Sequence, residues 1–192
     1  LLSGVKITDM ASLKSAIQAL HERYHIPHIV ITSVNLPDQP AGHLSVVGSS
    51  MTSNFKPRLF QIVFPAIDCY FSGTGDMFGA LITVRMRQAV FGKASAPSEL
   101  QQKRSWLSDD DTAVLDLPLV HAVEMVLASM HEVLTKTAEG MAVASKAVDG
   151  AKTGAVDEKA AHLARSKSAE LKLVRNLASL REPVVEYKAK KI

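Results

Sequence analysis

One cysteine, Cys69, stands alone in 192 residues. No intrachain disulfide can form, and such usage suits a reducing compartment. Long apolar runs are missing too. None reaches the roughly 20 residues that a membrane-spanning helix needs, and the opening residues lack the pattern of a signal peptide. Strong charge of either sign is absent. Lys and Arg number 22 against 19 Asp and Glu, a formal charge of +3. The densest basic cluster, Lys188, Lys190 and Lys191, reads as a solvated chain end rather than a nucleic-acid patch. No internal repeat is visible. No Gly-Lys-Ser/Thr run exists, which excludes a Walker A loop. The third glycine of a dinucleotide-binding fingerprint is also missing. The chain opens Leu1-Leu2-Ser3-Gly4 without an initiator Met and reads as a piece entered within a domain. What remains is 47% apolar, enough for a real core in one domain of ordinary size.

The chain is organised around Phe71-Ser72-Gly73-Thr74-Gly75-Asp76-Met77-Phe78. An apolar run, Leu59 to Phe64, precedes it and predicts a strand. Helical periodicity from Met77 to Phe91 follows it. Two glycines and an aspartate therefore sit near a helix start, where backbone N–H groups lack partners and the macrodipole is positive. Such a start takes anions, and glycine lets the backbone come close to them. A carboxylate repels phosphate, so Asp76 is out of place unless it accepts a proton from a hydroxyl that attacks the phosphate. The bland alternative is a helix start with an acidic residue near the dipole, which is common.

Along the chain, residues 8–25 predict a helix capped by Thr8 or Asp9, with a buried stripe of Met10, Leu13, Ile17, Leu20 and Tyr24. Ile29-Val30-Ile31 predicts a buried strand of an α/β sheet, with Thr32-Ser33 at its C-terminal end, where ligands of open sheets gather. A simple turn is the competing reading of those hydroxyls. His21 and His25 have the four-residue spacing of a zinc pair, but no second cluster completes a site, so the metal reading is set aside. Two strands, residues 43–48 and 59–64, predict an antiparallel hairpin. Cys69 reads as a small buried residue. The helix after Asp76 is apolar around much of its circumference and predicts a central, buried helix, with Arg85 and Arg87 late where cations suit the dipole. Residues 92–111, including Asp109-Asp110-Asp111, read as a surface insertion. Asp116 and Pro118 open a helix whose apolar face is Leu119, Val123, Val126, Leu127, Met130, Val133 and Leu134, with Gly140 at its end. Residues 141–168, rich in Ala and Lys, read as a second insertion with partial helix. Leu171 to Leu180 predicts a final helix, and Val185, Tyr187 and Ala189 a half-wet strand.

Gly73-Thr74-Gly75-Asp76 before such a helix resembles the signature of the ribokinase-like superfamily of small-molecule kinases. Within it, Leu1-Leu2-Ser3-Gly4, Ile29 to Pro37, Phe71 to Phe78, His121 to Thr137 and Arg181 to Val185 resemble the C-terminal half of the pyridoxal kinase family. The resemblance implies the C-terminal portion of a three-layer α/β sandwich, with a mixed sheet and flanking helices. It spans residues 1–192 as part of one kinase domain. The implied activity is ATP-dependent phosphorylation of the 5′-hydroxymethyl group of pyridoxal, pyridoxine and pyridoxamine. Asp76 falls on the catalytic base. Gly73, Thr74 and Gly75 fall on the anion hole. Thr32 and Ser33 fall on nucleotide contacts, and Ile67, Asp68, Cys69, Phe71 and Ser72 on the wall of the ATP pocket. Mg2+ and a monovalent cation such as K+ are implied as cofactors. So are a homodimer of the full-length protein, a cytoplasmic or nuclear location, and no nucleic-acid or membrane partner. The vitamin pocket, its lid and the metal ligands fall outside this chain. The competing readings are a ribokinase-like kinase acting on a hydroxymethylpyrimidine or sugar, and a non-catalytic nucleotide-binding fragment.

Overall fold

The structure, a computed structural model, describes residues 2–37, 39–92, 98–150, 167 and 169–192, with backbone alone for 143–150. The chain divides into two compact units. The first comprises Leu1–Ala66, Ile82–Met125 and Glu186–Ile192, and the second Ile67–Leu81 and Val126–Val185.

The first unit is built on helix α1 (Met10–Tyr24) and strands β1 (His28–Val34), β2 (His43–Met51), β3 (Pro57–Pro65) and β4 (Lys190–Lys191). Of the two candidate caps, Asp9 takes the position. Its carboxylate accepts the Ser12 N–H while the Ser12 hydroxyl reaches back, a reciprocal capping box. The helix stops where His25 turns left-handed at φ 52°. The stripe then meets the sheet: Leu13 and Ile17 pack with Val34, Val47 and Leu59, joined by Met10, Ile29, Ile31 and Leu36. Each full burial of this kind is worth roughly 1.5–3 kcal/mol. Tyr24, expected in the stripe, is 48% exposed.

The sheet runs in the order β1-β2-β3-β4. The predicted hairpin is present in full register, from His43 opposite Pro65 to Met51 opposite Pro57. A mixed sheet is expected from the resemblance, yet all three pairings of the described sheet are antiparallel. Among the described residues, parallel pairing is confined to one isolated bridge, Ser72 with Glu170. In β1, Ile31 faces Val47 and Val34 faces Ser45, so β1 takes three steps where β2 takes two. This is a bulge. It resets the alternation so that Val34 returns to the core, and it turns Thr32 and Ser33 out to solvent, Ser33 at φ 54°. At the C-terminus the predicted alternation holds in burial, but only Lys190 and Lys191 pair with β3. The segment before them is tied to Glu124, which accepts the Ala189 N–H and the Lys188 ammonium.

The three clustered histidines are structural. His21 is fully buried: its Nδ1–H donates to the Ile26 carbonyl at 2.6 Å, so Nε2 accepts from the Ser49 hydroxyl at 2.8 Å. His28 donates from Nε2 to the Ser105 carbonyl and accepts at Nδ1 from Ser50, each at 2.8 Å. His25 stacks on Phe55. In the polar stretch of residues 92–111, expected to be irregular, the described part holds one helical turn and is pinned down. Arg58, buried, donates to the carbonyls of Ser108 and Asp109 as well as Ser50 and Met51. Asp110 accepts from the Ser53 backbone N–H and hydroxyl, and Lys103 pairs with Asp109.

Burial pushes the His21 and His28 pKa values below the ordinary 6.5, with His21 and Arg58 adding to the effect on His28. The unfolded chain then binds protons that the folded chain refuses, so stability is complete above the unfolded pKa and falls as pH drops through it. The urea midpoint is expected to decrease between about pH 7.5 and about pH 5.5; a constant midpoint would contradict the burial argument. Asp110 lies below the ordinary carboxylate value of 3.8, held there by hydrogen bonds from Ser53, so its loss belongs to a lower pH window.

The remaining helices differ from expectation. Helix α2 (Thr74–Phe91) is not buried all round. It buries Met77, Arg85, Met86 and Val90, while Gly79, Ala80, Thr83, Val84 and Arg87 face solvent. One covered side of a helix hides only a stripe at three- to four-residue steps. Arg85 lies in that stripe and donates to Gln88, rather than serving the dipole from the surface. Helix α3 (Glu99–Gln102) is a single turn. Helix α4 (Pro118–Gly150) opens on Pro118 as predicted, but Asp116 lies in a preceding 3-10 turn and Gly140 does not end the helix. Its buried face includes Leu119, Val123, Val126, Leu127 and Val133. Residues 151–166 and 168, part of the second expected insertion, lie outside the described residues. The final helix is reduced to a 3-10 turn (Val174–Asn176) and helix α5 (Leu177–Arg181), with Val174 82% exposed. In the second unit, Glu132 of α4 accepts the Val184 N–H and Lys136 donates to the buried Ser179 hydroxyl, which fixes the end of that unit.

Candidate active site

The loop from Ile67 to Gly73 and the first turn of α2 lie in the second unit. Cys69 N–H bonds to the Ile67 carbonyl at 2.8 Å, a tight turn. Asp68, Cys69 and Tyr70 are exposed, while Ile67 and Phe71 are half-buried. The expectation of a buried Cys69 is therefore corrected: the turn directs it outward.

Gly73 adopts φ +85°, a conformation that disfavours any side chain, and the chain turns there into the helix. The helix begins at Thr74, so Thr74, Gly75 and Asp76 all occupy its first turn. The Met77 N–H closes the first bond, to the Gly73 carbonyl at 3.1 Å. The N–H groups of Thr74, Gly75 and Asp76 come too early in the helix to find an acceptor one turn back. A Cβ built on Gly73 or Gly75 meets nothing within 4 Å, so the approach to these amides is open. The Asp76 carboxylate is exposed beside them. The arrangement presents anion-binding donors and a potential proton acceptor within one turn.

The other predicted contacts, Thr32 and Ser33, belong to the first unit and sit in the β1 bulge, both exposed. Ser33 spends a left-handed backbone conformation there, a strain that collects at functional positions.

Metal ligands do not assemble. Among the described residues no group of three His, Cys, Asp or Glu side chains converges on a point. The Asp109-Asp110 pair is already engaged by Lys103 and Ser53. Mg2+ usually takes one or two carboxylates together with substrate phosphates, so it does not require a protein-only cluster.

No protein-family model matches the chain. Two Schizosaccharomyces pombe proteins, both provisionally assigned as pyridoxal kinases, are each 30% identical to it over 139 residues. The matches cover 72% and 71% of this chain but 39% and 37% of those proteins. The chain is pyridoxal kinase-like. The pyridoxal kinase-like chain thus spans about two fifths of the length of the curated relatives it matches. The solved pyridoxal kinase of Leishmania donovani in complex with ADP superposes with a TM-score of 0.63 at 19% identity, covering 100% of this chain and 47% of that one. The same enzyme in complex with ADP and pyridoxamine gives 0.62 at 20% identity, covering 100% and 48%. At such identity these structures establish the fold: an α/β portion of the pyridoxal kinase fold.

One element was missed in the sequence. Ser72 is bridged to Ala169-Glu170, almost a hundred positions away in the chain. The alternation Glu170-Leu171-Lys172-Leu173 is the available signal, but its leucines also fit a helical stripe.

Proposed function

We propose that this chain carries the phosphate-handling half of a vitamin B6 kinase. In this reading a B6 vitamer, pyridoxal, pyridoxine or pyridoxamine, receives the terminal phosphoryl group of ATP on its 5′-hydroxymethyl oxygen. Asp76 accepts the hydroxyl proton as the oxygen attacks phosphorus. The P–O bond to the departing ADP breaks, and the product is the 5′-phosphate ester. The amides of Gly73, Thr74 and Gly75 hold the charge that develops on the transferring group. Ile67, Asp68, Cys69, Phe71 and Ser72 form the adjacent nucleotide wall. Thr32 and Ser33 are carried as nucleotide contacts on the family resemblance and their exposed place in the bulge.

The observation that carries the proposal is the first turn of α2. A carboxylate opposes anion binding, whereas a phosphotransfer to an alcohol uses one there as the proton acceptor. Yeast relatives assigned to pyridoxal kinase favour a B6 vitamer over a sugar or pyrimidine alcohol as the acceptor.

The test is titration of the 192-residue chain with ATP, followed by amide NMR. Shifts concentrated on Gly73 to Asp76 and on the Ile67–Ser72 loop are expected. Saturating ATP that leaves those amides unmoved would overturn the assignment of the phosphate site.

A further inference from the structure

We propose that the Ala169-Glu170 segment is a positioning strut for the loop that opens α2, a role that rests on the phosphate-site reading above. The Ser72 N–H donates to the Ala169 carbonyl at 3.3 Å, and Ser72 pairs with Glu170 in the one isolated bridge among the described residues. Ala169 is only 5% exposed, so its carbonyl is held at a packed point of the second unit. The chain turns at Gly73 immediately after this anchor, and the Gly73 carbonyl is in turn engaged by Met77 N–H. The turn is thus gripped on both sides, by the strut at Ser72 and by the helix at Gly73. The directions of the Thr74, Gly75 and Asp76 amides follow from those two fixings.

This matters because Gly73 and Gly75 carry no side chain to order them, and a Cβ built on either would meet nothing within 4 Å. Glycine pays the largest conformational entropy on ordering. A loop ordered before the ligand arrives spares binding that cost. The strut supplies the order that the glycines lack, from a segment almost a hundred positions further along the chain. Ala169 touches no substrate; it acts through Ser72.

Two measurements on the 192-residue chain test this. The first is hydrogen exchange resolved at single amides. Slow exchange at Ser72 relative to Asp68 and Tyr70 is expected, and exchange at the open-loop rate would overturn the strut. The second is ATP binding to Ala169→Gly, which keeps the carbonyl but loosens its segment, and to Ser72→Pro, which removes the donor. Both are expected to weaken ATP by about tenfold while far-UV dichroism and the thermal midpoint change little. A merely structural contact would move the midpoint and leave affinity alone, and wild-type affinity in either folded variant would overturn the proposal. If the unmodified chain binds no ATP, the phosphate-site reading fails by itself, and the exchange rate at Ser72 still decides the strut.

Discussion

Replacing Asp76 by alanine, in a chain that also carries the rest of the kinase fold, is expected to lower turnover by about 10² to 10⁴-fold, the usual contribution of a positioned base. ATP affinity should stay within a few-fold. The physical reason lies in the division of labour in the first turn of α2. The amides of Gly73, Thr74 and Gly75 are backbone groups, and the substitution leaves them in place. The carboxylate, exposed at the same turn, is the one group there able to take a proton. Its loss also removes a favourable interaction with the helix dipole, worth at most about 1 kcal/mol at an exposed site, so the thermal midpoint should hardly move. Asp76→Asn separates basicity from size: it keeps the shape and should lose nearly as much turnover. Substantial phosphorylation by either variant, measured as ester formation on pyridoxal, would remove Asp76 from the mechanism.

A second large effect is expected at Gly48, on stability. Gly48 lies directly opposite Phe60 in the β2–β3 ladder. A Cβ on residue 48 would sit 2.2 Å from Phe60 Cζ and 2.5 Å from Cε1. Phe60 is fully buried and has nowhere to swing. Gly48→Ala should therefore cost about 1–3 kcal/mol or more through overpacking, against the small gain that alanine usually brings to a strand. The ring covers the glycine, so the strand needs no side chain of its own there. A double-mutant cycle isolates the clash. Phe60→Leu removes the outer ring atoms, and in that background Gly48→Ala should be nearly free. Equal costs in both backgrounds, read from urea midpoints, would show that the ring is not what excludes the alanine.

Much of the first unit was legible in sequence because its determinants are local. Asp9 and Ser12 make a cap within one turn, and the stripe of Leu13 and Ile17 follows the helical repeat. The hairpin is announced by two successive strand-like runs joined by a short turn. The start of α2 was legible for the same reason: Gly73 to Asp76 is a contiguous signature where a loop enters the helix. Other features ran against the preference of the residue type. Gly140 costs an exposed helix about 1 kcal/mol, yet α4 runs through it. Cys69, a small apolar residue by type, is turned outward by its loop.

The sequence by itself therefore determined the identity and order of the chemical groups, the glycine-rich turn with its carboxylate, and the elements whose signals repeat within a few residues. Tertiary structure alone decided that β1 carries a bulge exposing Thr32 and Ser33, that Arg58 and His28 pin the stretch around Ser105 to Asp109, and that Ser72 is anchored at Ala169. The reason is the same in each case. These outcomes turn on hydrogen bonds and registers between residues far apart in the chain, and a buried polar group takes whichever partner the packing brings to it.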